Sequence, residues 1–180
     1  MIKLQYHPMS AVEIEGAGKV AIAVTATDAR TENRDRIAKR EAAFFPRFEL
    51  WPLRSSVDVV TLLKEAVELE LRGRGFRVGA GMAQVRLDLT KFFHTPKANA
   101  FTVTCNGEVS FHAQVFDVDG AIVYAKDVSG CGSRTVGFGG VSLIGKLLEE
   151  GLEAAVASLI GDRAFIDAVL VPGARRFAAQ

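Results

Sequence analysis

Little cysteine, little proline, a single tryptophan and almost no net charge mark this 180-residue chain. Its two cysteines, Cys105 and Cys131, are too few for a disulfide framework and too far apart for a four-ligand zinc site. Five prolines and a mean hydropathy of +0.19 exclude a disordered or low-complexity chain, and 17 glycines without a G-x-y period exclude collagen. A net charge of +1 with no basic block leaves a phosphate backbone little to attract, which argues against a DNA or RNA partner. No run reaches the roughly 18 apolar residues of a membrane helix. The opening MIKLQYHPMSAVE has no hydrophobic signal core, so the chain as it stands is expected to be soluble.

What is present is apolar: 49% of residues, including 12 phenylalanines. That suffices for one core, and the organisation expected is an irregular lead over 1–18, one domain over 19–171 and a tail over 172–180. In KVAIAVT (Lys19 to Thr25) both alternating sets are apolar, which predicts a strand buried on both faces. Asp28 to Glu41 is dense in charges of both signs and reads as a solvated excursion. AAFFPRFELWPLRSS then reads as the most apolar loop of the chain. In VDVVTLLKEAVELELR, Thr61, Lys64, Glu65, Glu68 and Arg72 recur at helical steps, with Ser55 or Ser56 as the expected N-cap and Gly73 and Gly75 as the stop.

FRV and AQVRLDLTKFF predict further strands. The clearest alternation sets Phe101, Val103, Cys105, Val109, Phe111, Ala113 and Val115 against Thr102, Thr104, Asn106, Glu108, Ser110, His112 and Gln114. DVDG turns this strand into AIVYAKDVS. The turn is either a two-residue Asp119-Gly120 loop or a three-residue Val118-Asp119-Gly120 loop with Gly120 at a bulge. The second is preferred because it sets Val115 opposite Val123 and Ala113 opposite Ala125. After the Gly-rich GCGSRTVGFGG come a helix from Val141 and a short helix, RAFIDAVL, capped by Asp162. The fold class expected is α+β: an antiparallel-rich mixed sheet with two main helices on one face.

Few residues carry a chemical signal. GVSLIGKL fits G-x-x-x-x-G-K, but Leu147 stands where a nucleotide site needs Ser or Thr, so a Gly-flanked helix start is expected. His7, His94 and His112 have no second ligand at short spacing. His112 faces Lys126 in the preferred register and Asp127 in the other; a solvated strand histidine is the expected role. With the three-residue loop, Cys105 and Cys131 lie one diagonal apart, slightly beyond disulfide reach. Glu65, Glu68, Glu70, Glu149, Glu150 and Glu153 read as outward helix charges, with no carboxylate pair in a shared cleft. Phe44, Phe45, Phe48 and Trp51 either lid the sheet edge or form a contact patch; together with His112 they are the candidate interaction surface. No catalytic residue, metal ligand or cofactor is indicated.

The strand AIAVTATDAR with its D-x-R ending, the helix LLKEAVELELRGRGFRV and the strand VRLDLTKFF resemble the YajG-type lipoprotein family. So do a strand pair joined by a D-G turn, the strand end KDVSG and the late D-x-x-F of Asp162 to Phe165. One departure is RIAKREAAFFPRF, which stands where family members carry a Gly-containing segment. The resemblance implies a non-enzymatic bacterial envelope lipoprotein in the periplasm, tethered to the outer membrane by an acylated cysteine preceding Met1. Its partner would be another envelope component, with membrane contact only through that anchor. The alternative is a soluble small-molecule binder with a pocket between helices and sheet.

Overall fold

Seven strands and three helices build a computed structural model in which residues 1–42, 45–81, 83–98, 103–136 and 141–170 are described; side chains at 39–51, 96–98, 103–105, 136 and 141 are not. In chain order these are β1 (Ala21–Asp28), β2 (Ala38–Ala42), β3 (Phe45–Leu53), α1 (Val59–Gly73), β4 (Arg77–Val78), β5 (Ala83–Ala98), β6 (Val103–Phe116), β7 (Ile122–Val136), α2 (Val141–Ile160) and α3 (Arg163–Leu170).

Strand β5 is the spine. One of its edges carries β6 and then β7, both antiparallel. The other is shared: β1 runs parallel to its first half, from Ile22 opposite Ala83 to Asp28 opposite Leu89, and β2 meets its second half at Ala38 opposite His94. Strand β4 lies outside β1 and β3 outside β2. The sheet is therefore mixed rather than antiparallel-rich, because β1, β2 and β4 all enter by parallel pairing. The alternation of VRLDLTKFF shows that one face is dry but is silent about strand direction.

Helices α1 and α2 touch each other and share one sheet face, α1 over β1 and α2 over β6 and β7. Val109, Phe111, Ala113 and Val115 are buried beneath them, whereas Glu108, Ser110, His112 and Gln114 stay half-exposed. The one-sided layer also explains β1, where Ile22 and Val24 are buried but Ala21 and Ala23 are only half-buried. On this facing, Glu108→Ala or Gln114→Ala is expected to change stability by only about 0.5 kcal/mol in urea denaturation. A loss of several kcal/mol would mean that a further layer covers the polar face.

Two loops differ from the expectation, and a third keeps its turn but not its register. The stretch read as an apolar loop contributes strand β3 over Phe45–Leu53, paired with β2 at one edge of the sheet. The Gly-rich stretch after Ser129 continues β7 through Gly130 and Gly132. The β6–β7 turn is the preferred three-residue loop, with Gly120 at φ 80 and Asp117 N–H donating to Ala121 O. A second bulge at Val123 then shifts the ladder, so Val115 faces Tyr124 and His112 faces Asp127. The turn is as expected and the register is not. Cys105 consequently faces Arg134 while Cys131 faces Glu108, three rows apart, and Cys131 is a free, exposed thiol.

The N-cap of helix α1 lies two residues beyond the serines, at Asp58, whose carboxylate accepts from Thr61 N–H at 2.8 Å. Gly75, at φ 92, turns the chain out of the helix toward Phe76 and β4. Asp162 caps α3 as the sequence indicates, accepting from Ala164 N–H at 2.9 Å.

Candidate functional site

Four polar places of the described structure bear on a site. The first is the junction of β1 and β2, read from the sequence as a solvated excursion. Arg30 is 4% exposed, and its Nε and Nη2 grip the two oxygens of Asp28 at 2.9 and 2.8 Å. Arg30 also donates to the carbonyls of Asn33 and Arg34, and Arg34 donates back to the carbonyls of Arg30 and Asp28. Asn33 takes φ 55 to close the loop. The Arg30 guanidinium holds the Asp28 carboxyl below its ordinary value. The D-x-R pair thus gathers the loop's carbonyls, and so lets the chain leave the β5 edge at Leu89 and rejoin it at Ile37, whose carbonyl accepts from His94 N–H. Charge density concealed this because Asp28 and Arg30 neutralise each other in place.

Glu70 forms the second place. Expected to point outward, it is 1% exposed. Its carboxylate receives the Tyr6 hydroxyl and Met9 N–H, both at 2.9 Å, and pairs with Arg74. Burial and the neighbouring Glu70 charge push the Tyr6 phenol far above its ordinary value. Glu149 accepts from Gln5 N–H and Glu153 meets the His7 ring. The lead, irregular apart from an isolated bridge between Ile2 and Ser55 and a short 3-10 turn at Ala17–Lys19, is a strap held across α1 and α2 by acidic side chains. A groove of about 620 Å³ runs between the strap and α1, lined by Leu4, Tyr6, Asp58 and Leu69 among others.

The third is the open sheet face around His112. The His112 Nδ1 lies 2.8 Å from the Asp127 carboxylate, and His112 faces Asp88 across the β5 pair. Burial alone would raise the Asp88 carboxyl, but hydrogen bonds from Thr27 and Arg86 hold it below its ordinary value. Lys91 and Glu108 form a further ion pair on this face. No nucleophile is placed beside His112 by any of these contacts.

His94, the fourth, is 3% exposed and neither ring nitrogen has a hydrogen-bond partner. Burial pushes its imidazole pKa down. Sequence alternation missed it because a bulge between Leu89 and Lys91 switches the buried set from Val85, Leu87 and Leu89 to Phe92 and His94. Because the native ring resists protonation, the unfolded chain binds the proton first, and native stability is lost as pH falls below the unfolded value of about 6.5. Acidification from pH 7 to 5.5 is expected to cost up to about 1 kcal/mol through this group. His94→Phe should remove that part of the slope, and an unchanged slope in paired urea titrations would contradict it.

The sequence-predicted surface is not brought together as one patch. Phe45, Phe48 and Trp51 lie on β3, with side chains outside the described set, and Phe44 lies outside the described residues. His112 sits on the other half of the sheet, level with Asp88, whereas β2 begins and β3 ends at the level of His94. Among the described residues no group of three metal-capable side chains occurs. Gly145 and Lys146 lie inside α2, with Gly145 against Ile2, so the G-x-x-x-x-G-K match is part of a helix.

This is a helix-on-sheet α+β domain, and its fold is shared with solved proteins of very different sequence. Protein XCC0632 from Xanthomonas campestris superposes with a TM-score of 0.67 at 13% identity, covering 99% of this chain and 100% of that one. A protein from Helicobacter pylori named as a homolog of neuraminyllactose-binding hemagglutinin superposes with a TM-score of 0.52 at 7% identity, covering 94% of this chain and 97% of that one. No curated protein matches the chain. The model of a family described as uncharacterized lipoprotein matches residues 9–167, and the chain belongs to that family. Among the described residues, no helix is long and apolar enough to cross a membrane.

Proposed function

We propose that this protein is a non-enzymatic module of the bacterial envelope, of the YajG type, held at the outer membrane on its periplasmic side by an N-terminal lipid. It docks another envelope component along the β3 edge of its sheet. The observation that carries this reading is β3 itself. Among the described residues it pairs only with β2, and it concentrates Phe45, Phe48 and Trp51, the last being the only tryptophan of the chain. Aromatic residues on an outer strand are what a contact surface uses.

A photoreactive amino acid at Phe48, in the lipoprotein expressed from its own gene, is expected to yield an envelope adduct, protein or phospholipid. The same group at Thr61, exposed on α1, should yield none. Equal adducts at both positions, or none at either, would overturn the β3 edge as the docking surface.

A further inference from the structure

The free end of the β2–β3 hairpin lies at one end of the sheet. Ala38 of β2 stands opposite His94, and from there β2 runs parallel to β5 toward Ala98, with β3 folding back beside it from Phe45 opposite Ala42. Val103 of β6 and Val136 of β7 pair at this same end. Helix α2 starts here too, because Leu147 lies against Gly107 and Gly132 while Asp162, beyond its far end, holds Tyr124 and Lys126 near the β6–β7 turn.

The N-terminus emerges in the same half of the sheet, at the root of the hairpin. Ile2 exchanges backbone hydrogen bonds with Arg54 and Ser56, at the root of β3, and Met1 to Lys3 line a groove with Ser142, Gly145 and Lys146 of α2. On the proposed N-terminal lipid anchor, the tether joins the domain in this half of the sheet.

Composition fits that placement. Lys39, Arg40, Arg47 and Arg54 outnumber Glu41 and Glu49 on and beside the hairpin, interleaved with Phe45, Phe48 and Trp51. The opposite end carries the acidic turn Asp117 to Asp119. Pro46 and Pro52 remove N–H donors from β3, which blunts it as a template for an added strand and favours contact through side chains. Interfacial aromatics with cationic neighbours are the chemistry of an anionic lipid surface.

We propose that the β2–β3 hairpin is a membrane-contacting surface that seats this end of the domain on anionic phospholipid, beside the exit of the N-terminus. The inference rests on the β3 edge being the docking surface and names phospholipid as what it meets. It makes membrane contact a property of the folded domain as well as of an anchor.

The test uses the 180-residue chain without acylation, mixed with vesicles of phosphatidylcholine alone or with added phosphatidylglycerol. Its lone tryptophan reports on the hairpin directly. Expected are co-flotation with the anionic vesicles only, and quenching of Trp51 emission by brominated phospholipid. Arg40→Glu with Arg47→Glu should lower partitioning by on the order of tenfold or more at an unchanged melting temperature. No flotation with anionic vesicles, flotation without Trp51 quenching, or undiminished binding of the double variant would each overturn the proposal. If flotation fails while the photoreactive group at Phe48 captures a protein, the docking reading stands and the lipid assignment falls. If both fail, both fall.

Discussion

Gly130→Val is expected to destabilise the protein by about 3 kcal/mol, although intrinsic preference points the other way. Valine favours extended backbone and glycine weakens strand interiors, so propensity alone would forecast a gain. The contact with α2 reverses the sign. A Cβ on Gly130 would lie 2.2 Å from the Gly151 carbonyl oxygen and 2.3 Å from Ala155 N, both backbone atoms that move only if the helix moves. Gly107 and Gly132 meet the Leu147 carbonyl group in the same way, at 2.5 and 2.3 Å, and a Cβ on Gly151 would lie 2.5 Å from the Gly107 carbonyl. Four glycines thus let α2 approach β6 and β7 closely. Gly18→Ala is the control, since its nearest neighbour would be a carbonyl oxygen 3.9 Å away, an ordinary contact. Urea denaturation of both variants decides the matter; a stabilised Gly130→Val would mean that α2 sits farther from the sheet.

The second large effect is expected at Arg74. Arg74→Met leaves the Glu70 carboxylate buried with only the Tyr6 hydroxyl and Met9 N–H as partners. Removing one member of a buried ion pair typically costs 3–5 kcal/mol, because the remaining charge keeps its desolvation penalty without its counterion. The loss should also loosen the N-terminal strap, which depends on Glu70 at two points. Limited proteolysis within residues 1–14 is therefore expected to accelerate more than global unfolding predicts. Glu70→Gln keeps an acceptor for Tyr6 and Met9 and should cost less. Equal costs for the two variants would show that hydrogen bonding, not charge, holds the strap.

The strap was hidden in the sequence because a glutamate at helical spacing looks alike whether it meets water or a hydroxyl brought in from 64 residues away. His94 was hidden for a related reason. Its parity depends on a bulge after Leu89, which responds to β1 leaving the β5 edge and β2 joining it, an event encoded in the Asp28–Arg30 loop and not in the strand. The β6–β7 register failed at Val123, where turn chemistry was read correctly but a bulge three residues past the loop end was not.

By itself, the sequence determined what local periodicity and capping can express. It expressed the apolar stripes of both main helices, the dry face of β6, the Gly120 turn and the Asp162 cap, because each depends on residues within a few positions of one another. Only the tertiary structure decided strand direction, register and neighbours. Parallel pairing of β1 and β2 to a shared edge of β5, the burial of Glu70 and His94, and the seating of α2 on glycines all depend on segments dozens of residues apart. Their energies arise from close approach and desolvation, which no local pattern records.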